Sequence, residues 1–497
     1  MHLSHSPTNQ PHLHLRWGRP KKDKEDLADL TTGPFLPKII RYTVPIILTS
    51  LLQLLFNAAD LIVVGQTCGE RYLGAVGATG SLINLIVNLF IGLSVGAGVS
   101  IAQCIGAKDD EGVHKTLHTA IPTAFIGGII LTAVGVLGAR TFLGWMQTPP
   151  EVIDLSTTYL KIYFSGIIPI LLYNYGSSIL RAAGDTKSPL VFLTIAGVLN
   201  VGVNLLFVLQ FGMDVDGVAW ATVLSQTVAC VLVLIRLSRR KDACRLQWKK
   251  LRIYPAYFAR ILRVGLPAGL QGSLFSISNV IIQSSVNSFG DVVLSGNTAS
   301  ANLEGFVWVS MNAFHQSVMN FIGQNRGAKK YDNIKKILVI CLLCVTVTGL
   351  VLGVTVNLLS RPLLSIYLTD APELAYRSGQ DRLLLVCLPY FLCGIMDVMT
   401  GALRGLGCST PPMLITVLGV CGSRLLYIYT LFRLEPFHNL RSLMFTYPMS
   451  WILTFLAELI CFIFVWRKMK RNEQSASPGE QGEQGEQETI QTEEKTA

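Results

Sequence analysis

Long apolar stretches alternate with short polar segments along most of the chain. A helix needs about 20 predominantly apolar residues to cross a bilayer, and twelve stretches are long enough. Their approximate cores are 39–64, 75–105, 116–139, 155–182, 189–210, 217–237, 260–287, 296–325, 334–358, 377–403, 412–432 and 441–466. The pattern therefore predicts an all-α integral membrane protein with twelve transmembrane helices.

The second half of the sequence repeats motifs of the first half. Three pairs of matching residues are separated by 222, 221 and 223 positions: Pro45 with Pro267, Gly106 with Gly327, and Arg181 with Arg404. Each half contains six predicted helices, and an even number returns the chain to the side on which it began. We therefore expect two six-helix parallel repeats, related by an axis along the membrane normal.

Basic residues cluster on one side of the predicted helices. The connection between the halves has seven of them against Asp242: Arg239, Arg240, Lys241, Arg245, Lys249, Lys250 and Arg252. Loops predicted for the opposite side, such as 211–216, are short and neutral or acidic. The positive-inside rule places the linker and both termini in the cytoplasm. Arg181 and Arg404 then lie at cytoplasmic helix ends, where their side chains are expected to snorkel to the interface.

These features divide the chain into five segments. A disordered basic tail precedes an N-lobe of six helices, a basic linker, a C-lobe of six helices and a disordered acidic tail; the termini and linker are cytoplasmic. The predicted boundaries are 1–37, 38–237, 238–259, 260–466 and 467–497. The predicted location is the plasma (inner) membrane, with the protein as a multi-pass monomer.

Composition supports a membrane protein and disfavours soluble classes. Charged residues make up 14% of the chain, against about 25% in soluble proteins. The net charge of +10 flanks apolar stretches on one side, so nucleic acid is not an expected partner. The CxxC of Cys341 and Cys344 lies in an apolar run, where the cysteines are expected to pack. No phosphate-binding loop or HExxH motif is present, so we expect neither an enzyme nor a cofactor.

The first predicted helix carries a carboxylate, Asp60, within the apolar stretch. An acid at membrane depth costs about 2.5–3.5 kcal/mol on insertion scales, which indicates a functional role. Asn57 and Gln53 lie three and seven positions earlier, on the same helical face. On the fifth helix, Asn200 and Asn204 are four apart and also share a face. Carboxylate and amide oxygens suit a hard cation such as sodium, although paired amides also hold helices together.

The second half has a different set of polar residues within its predicted helices. Glu304 lies in the eighth helix and Asp397 in the tenth, where an orientation toward lipid would be unfavourable. Asn279 and Gln283 share a face of the seventh helix. His315, in the middle of the eighth, either titrates near neutral pH or is a hydrogen-bonded packing residue.

Several motifs together resemble the multidrug and toxic compound extrusion (MATE) family of cation-coupled antiporters. The resemblance covers residues 38–466. It rests on NAADLIVVGQ at 57–66, the paired GAK loops, LRAAGDTKSP and ALRGLG, LNVGVNLLFVLQFGMDVDGVAWATVLSQ at 199–226, and LPAGLQGSLFSISNVIIQSSVNSFG at 266–290. The resemblance implies two lobes around a V-shaped central cleft. It also implies a secondary active antiporter that exports amphipathic, cationic organic compounds by alternating access, in exchange for sodium or protons.

The resemblance also implies roles for individual residues. Asp60 falls on the first-helix acid used for cation coupling, with Asn57 beside it and Asn200 on the partner helix, a candidate sodium site. Gln53 and Asn204 complete the coupling set, but relatives often have an acid at the place of Asn204. The resulting candidates for the substrate cleft are in the C-lobe: Glu304, Asp397, Asn279, Gln283 and His315. Asp397 is about a turn displaced from the tenth-helix acid of one subgroup.

Two other classes of protein remain as alternatives. A flippase for a lipid-linked precursor has the same general architecture, but a basic cleft would suit its phosphates, whereas the deep charges recognised in the sequence are mostly acidic. An intramembrane enzyme would need clustered catalytic groups, which the sequence does not show. We therefore expect small organic, cationic or amphipathic compounds as cargo, and the lipid bilayer as the surroundings.

Overall fold

The computed structural model describes residues 29–67, 70–146, 148, 150–368 and 371–476. In these ranges the chain is almost entirely helical and has no strand, and a helix covers each of the twelve predicted stretches. Most of both predicted tails, residues 1–28 and 477–497, lies outside the described residues.

Seven α-helices make up the part of the first half that the structure describes. They are α1 (Phe35–Thr67), α2 (Glu70–Gly106), α3 (Asp110–Trp145), α4 (Pro150–Ser165), α5 (Ile167–Ala182), α6 (Lys187–Leu205) and α7 (Val215–Ser238). The stretch predicted as one fourth helix is α4 and α5, which meet at a bend of 48°. A π-helical turn, Leu206–Gln210, continues α6.

The described residues of the second half form nine α-helices. They are α8 (Pro255–Asn287), α9 (Asp291–Gly327), α10 (Tyr331–Leu358), α11 (Ser360–Ser365), α12 (Glu373–Arg382), α13 (Tyr390–Gly405), α14 (Thr410–Thr416), α15 (Ser423–Tyr429) and α16 (Leu440–Ala476). The predicted tenth helix is α12 and α13, bent by 40°. A π-helical segment, Val417–Gly422, joins α14 to α15.

The described helices differ in how apolar they are. Eight are long and apolar enough to cross a membrane, or up to ten spans if each bent pair counts as one. Helices α8 and α9 are not among them, although they are among the longest in the molecule. They bury amides instead, including Gln271 on α8 and Asn297, Asn320 and Gln324 on α9. Because these two helices bury polar amides against other helices, they are less apolar than the eight.

The buried apolar side chains form two main clusters. One cluster is built chiefly from α2 to α7, which we call with α1 the N-lobe. The other is built chiefly from α8 to α16, the C-lobe. Ile39, Tyr42 and Ile46 at the start of α1 belong to the C-lobe cluster, whereas the far end of α1 lies against α6. Helix α1 therefore connects the two lobes.

Helices α2 and α8 bring the two lobes into direct backbone contact. A Cβ atom at Gly92 would lie 2.1 Å from the backbone nitrogen of Gly269, and one at Gly269 would lie 2.4 Å from the carbonyl oxygen of Leu89. Only glycine permits such an approach, because any side chain would overlap the neighbouring backbone. Farther along these helices, the Asn88 amide donates to the Ser276 hydroxyl at 3.4 Å.

Two related hydrogen bonds join the lobes at one end of the molecule. Loops 107–109, 183–186 and 239–254 lie at this end, which we call the basic end because the last of these loops carries most of the basic linker residues. The Gln103 amide donates to the carbonyl oxygen of Gly405 at 2.8 Å, and the Gln324 amide donates to that of Ala182 at 2.9 Å. The two donors are related by the offset of the sequence repeat (324 − 103 = 221), and so are the two acceptors (405 − 182 = 223). We call this pair of contacts the seam.

Residues 29–33, which we call the strap, lie across the basic end of the C-lobe. Leu30 is fully buried; its N–H donates to Gln324 Oε1 at 3.0 Å, and its carbonyl oxygen accepts from Asn325 Nδ2 at 2.9 Å. Burial acts to raise the pKa of Asp29, but hydrogen bonds from Thr31 and Thr32 hold it below its usual value, so Asp29 is ionised at neutral pH.

The structure differs from the predicted disorder at both ends. At the first end, the strap and the start of α1 occupy the last part of the segment predicted as a disordered tail. At the other end, α16 continues past Trp466 to Ala476. Buried contacts of Leu30 and a continuous helix order these residues, which their polar composition alone did not indicate.

Candidate functional site

The candidate site in the N-lobe depends on close packing of α1 against α6. A Cβ atom at Gly197 would lie 1.8 Å from Cε2 of Phe56, so the absence of a side chain lets the ring rest on α6. Asp60 is four residues after Phe56, on the same face of α1. Asn204, the next-to-last residue of α6, donates from Nδ2 to Asp60 Oδ1. The π-helical turn follows at once, as is frequent at functional sites.

A small cavity lies beside this carboxylate. Its volume is about 50 Å³, and Gln53, Asn57, Asp60 and Asn200 all line it. Four of the five residues predicted to couple a cation thus surround one space, and the fifth, Asn204, bonds to its carboxylate. A water or a small ion needs a volume of about 10–15 Å³ or more, so the cavity has room for either.

Two buried side-chain oxygens near Asp60 have no donor among the described residues. Asn200 and Asn204 are 5% and 0% exposed, and the side-chain oxygen of each has no hydrogen-bond partner in the described part of the chain. A buried oxygen without a donor is costly. The oxygens of one carboxylate and two amides therefore fit a bound cation, and the carboxylate can alternatively take up a proton.

Sequence reasoning missed the contribution of α7. Thr222, Ser225 and Gln226 also line the cavity, and the Thr222 hydroxyl lies within hydrogen-bonding reach of Asp60. Their spacing of three and four residues within an apolar helix was a readable signal, because such positions share one face. Among the described residues, no group of three or more His, Cys, Asp or Glu side chains is arranged to hold a metal ion.

The C-lobe candidates do not form one cluster. Asn279 and Gln283 are exposed on α8, and Gln283 donates to Asn287 at 3.2 Å. Glu304, in contrast, accepts from Arg382 Nη2 at 2.7 Å and from Arg382 Nε at 3.0 Å. The side chains of Glu304 and Arg382 are 13% and 9% exposed. The negative charge that was expected to attract cationic cargo is therefore balanced by an arginine that sequence reasoning did not identify.

His315 and Arg404 join helices α8, α9 and α13. His315 Nδ1 lies 2.7 Å from the backbone oxygen of Asp397, and its Nε2 lies 3.3 Å from Arg404 Nη1. Arg404 Nη2 donates to Gln271 Oε1 at 2.7 Å. Arg404 is 7% exposed, so the expectation that it snorkels to the interface is wrong. The Asp397 side chain is half-buried.

Two further buried charges in the C-lobe were missed. Arg424 is 4% exposed and stacks over Tyr447 at 4.0 Å from the ring centroid, and its Nε donates to Ser450. Glu458 is fully buried on α16. Basic side chains are thus buried beside acids in the C-lobe, and the deep charges are not mostly acidic. The signals were single charged letters within apolar runs, such as LTFLAELICFIF at 453–464.

Comparisons with known proteins agree with this fold. The sequence model of the MatE family matches residues 45–206 and 267–430. "Probable multidrug resistance protein YoeA" of Bacillus subtilis is 26% identical over 437 residues, covering 86% of this chain and 93% of that protein. The "FAD transporter" of Shewanella oneidensis is 23% identical, covering 88% of this chain and 97% of that protein.

A solved structure described as the outward-facing conformation of a multidrug resistance MATE family transporter has a TM-score of 0.80, with 20% identity. It covers 90% of this chain and 98% of the other. An all-helical molecule with many apolar spans and a polar site inside one lobe is a multi-pass membrane protein of the transporter class. The chain belongs to the multidrug and toxic compound extrusion (MATE) family, as its motifs indicated.

Proposed function

We propose that the protein is a secondary active antiporter that exports amphipathic organic compounds in exchange for sodium ions or protons. The observation that carries this proposal is the N-lobe cavity of about 50 Å³, which is lined by Asp60 and by the side-chain amides of Gln53, Asn57 and Asn200. An acid that faces a polar cavity within the membrane is costly to insert, which favours a functional role.

The same proposal includes twelve membrane spans arranged as two parallel six-helix repeats. The family model matches both halves, and its two matches begin at Pro45 and Pro267, the first pair of the repeat. Bends fall at related places, after Ser165 in the first half and after Cys387 in the second. Lys108 and Lys329 are related by the same offset (329 − 108 = 221), and both have positive φ. Local geometry thus supports the repetition seen in the motifs.

Alternating access requires one end of the molecule to be closed while the other is open. The seam and the strap close the basic end, which the positive-inside rule assigns to the cytoplasm. The glycine contacts of α2 with α8 lie in the same half of the molecule. We infer that this is an outward-facing state of a V-shaped cleft, in a plasma membrane, with both termini in the cytoplasm.

The cargo is proposed from the relatives and from the charges of the C-lobe. A relative is named for multidrug resistance, which supports small organic compounds. A second candidate cargo is an anionic or phosphate-bearing compound, including a lipid-linked precursor moved by a flippase. The buried Arg424 and Arg404 favour this second cargo. FAD bears phosphate groups, and one relative is named as an FAD transporter. The coupling proposal holds for either cargo.

The first prediction concerns Asp60. Asp60→Asn removes the carboxylate charge from the cavity while an amide preserves shape, so transport driven by an ion gradient should fall to the background of empty vesicles. Purified protein in proteoliposomes would be tested for ethidium efflux, with sodium and proton gradients imposed separately. The gradient that drives the wild type identifies the ion.

The matched control for this measurement is Asp154→Asn. Asp154 forms an exposed ion pair with Arg140, and such pairs contribute about 0–1 kcal/mol. This variant should transport normally. Unchanged transport by a stable Asp60→Asn protein would refute coupling through Asp60, and a lower melting temperature with normal transport would indicate a structural role.

A further inference from the structure

The carboxyl group of Glu458 connects three helices inside the C-lobe. Its Oε1 lies 2.6 Å from the Thr400 hydroxyl on α13 and 3.0 Å from the Thr416 hydroxyl on α14. Its Oε2 is buried and has no hydrogen-bond partner in the described part of the chain. Glu458 itself is 0% exposed on α16. No step of the proposed N-lobe coupling uses this group.

The hydrogens of this cluster can be counted. The Thr416 hydroxyl lies 2.6 Å from the carbonyl oxygen of Pro412, and that oxygen can only accept. A hydroxyl has one hydrogen, so Thr416 donates either to Pro412 or to Glu458 Oε1. At most two hydroxyl hydrogens, those of Thr400 and Thr416, therefore reach the carboxyl group, both at Oε1, and Oε2 receives none within the described residues.

The surroundings of Glu458 also favour the neutral acid. A buried carboxylate needs several donors or a paired cation, but Glu458 has only the two hydroxyls. The charged and titratable groups near it are Asp397 and Arg404 on α13 and Cys461 on α16; α14 contributes no titratable group. Arg404 directs its hydrogen bonds to α8 and α9, and Asp397 would repel a second carboxylate.

Asp397 on α13 is placed to relay this proton. It is half-buried and lies three residues before Thr400, so both side chains project from one face of this helix. Its carboxyl group interacts electrostatically with that of Glu458, so the two acids are neighbours. Loss of the proton from Glu458 would leave a buried negative charge with two hydroxyl donors and no paired cation.

We propose that Glu458 is a second proton-binding site, located in the C-lobe, which is protonated in this conformation and exchanges its proton with solvent through Asp397. Binding of the proton holds α13, α14 and α16 together. Its place in a transport cycle rests on the proposed antiport, but the occupancy and exchange of the site do not.

Infrared difference spectroscopy of the purified full-length protein in lipid tests this directly. A protonated carboxyl has a C=O stretch that a carboxylate lacks and that shifts in D₂O. The band should be present in the wild type, disappear as pH is raised, and be absent from Glu458→Gln, whose amide can replace both hydrogen bonds. The control, Glu435→Gln, changes an exposed acid and should leave the band unchanged. In Asp397→Asn, the band should shift at least about tenfold more slowly after transfer to D₂O, because exchange of the Glu458 proton is slower.

Each outcome decides part of the proposal. If Glu458→Gln does not fold, Thr416→Val removes one of the two hydrogen bonds at Glu458 Oε1 and should move the band to higher frequency. Absence of the band in the wild type means an ionised Glu458 and overturns the proposal. A band that neither titrates nor depends on Asp397 identifies a sealed structural acid and also overturns it. Because no cargo is involved, failure of ethidium transport does not affect these measurements.

The transport role has its own readout. With a working antiporter, Glu458→Gln should keep ethidium efflux but flatten its dependence on pH, since one titrating group is lost. An unchanged pH profile would overturn the role in transport while leaving the infrared result in place.

Discussion

At the scale of single residues, an acid within the membrane acquires its chemistry from its partners. Asp60 accepts from an amide and faces a cavity. Glu304 is paired with an arginine, and Glu458 contacts two hydroxyl groups. The sequence located Asp60 and Glu304 by the same argument, cost at membrane depth. It could not separate their roles, because Arg382 is far from Glu304 in the chain and only the tertiary fold brings them together.

The pair of Glu304 and Arg382 changes how the cargo prediction must be tested. Glu304→Gln alone leaves a buried arginine without its acid, which typically costs about 3–5 kcal/mol, so this variant should lose stability and the transport of every cargo. Glu304→Gln with Arg382→Gln should recover most of the stability. Thermal unfolding of the single and double variants, compared as a double-mutant cycle, measures the coupling.

Only the stable double variant then reports on cargo. If Glu304 attracts cations, ethidium efflux by the double variant should fall more than its efflux of a neutral dye of similar size. Equal losses would assign the pair to structure alone, and a destabilised double variant would show that the two residues act separately.

At the scale of elements, the apolar pattern was sufficient to place helices but not to describe how they pack. A helix covers every predicted stretch, since length and apolar composition are local properties. The bends between α4 and α5 and between α12 and α13 were not predicted, nor was the strap, because both depend on contacts made far along the chain. Of the N-lobe site, four cavity-lining residues followed from helical spacing. The polar face of α7 could also be read from its spacing, but only the fold shows that Thr222 lies beside Asp60.

Packing of α2 against α8 should depend on their glycines. Gly269→Ala would place a methyl group 2.4–2.9 Å from backbone atoms of Leu89, which cannot move aside as a side chain can. Overpacking typically costs about 1–3 kcal/mol, and we expect the upper part of that range. Gly305→Ala on α9 is the control, because a methyl there meets nothing within 4 Å and alanine favours a helix. A Gly269→Ala melting temperature equal to that of Gly305→Ala would contradict direct backbone contact.

At the scale of the whole molecule, the two halves share a plan but have diverged in chemistry. Gln103 and Gln324 occupy related positions and make related bonds across the seam. Around them the halves differ. The side-chain oxygen Oε1 of Gln324 accepts from the N–H of Leu30 in the strap, whereas Oε1 of Gln103 accepts from Arg260 Nη2 at 2.7 Å. The repeated motifs predicted that the two halves share one arrangement of helices. They could not predict that Leu30 of the strap bonds to Gln324 or that Arg260 bonds to Gln103.

The seam should determine which end of the molecule is open. Replacing Gln103 and Gln324 by Ala removes the two seam hydrogen bonds, together with the bonds that the side-chain oxygens accept from Leu30 and Arg260. The two seam bonds alone, at about 1 kcal/mol each, should shift the balance toward opening of the basic end by about tenfold to thirtyfold. Cys104, beside Gln103, is 2% exposed and should become reactive to a water-soluble maleimide. Labelling of its peptide in inside-out vesicles, measured by mass spectrometry, reports the opening. Gln283→Ala, on the exposed face of α8, should leave the labelling unchanged. Equal labelling of Cys104 in the wild type and in the double variant would mean that the glycine contacts alone keep this end closed.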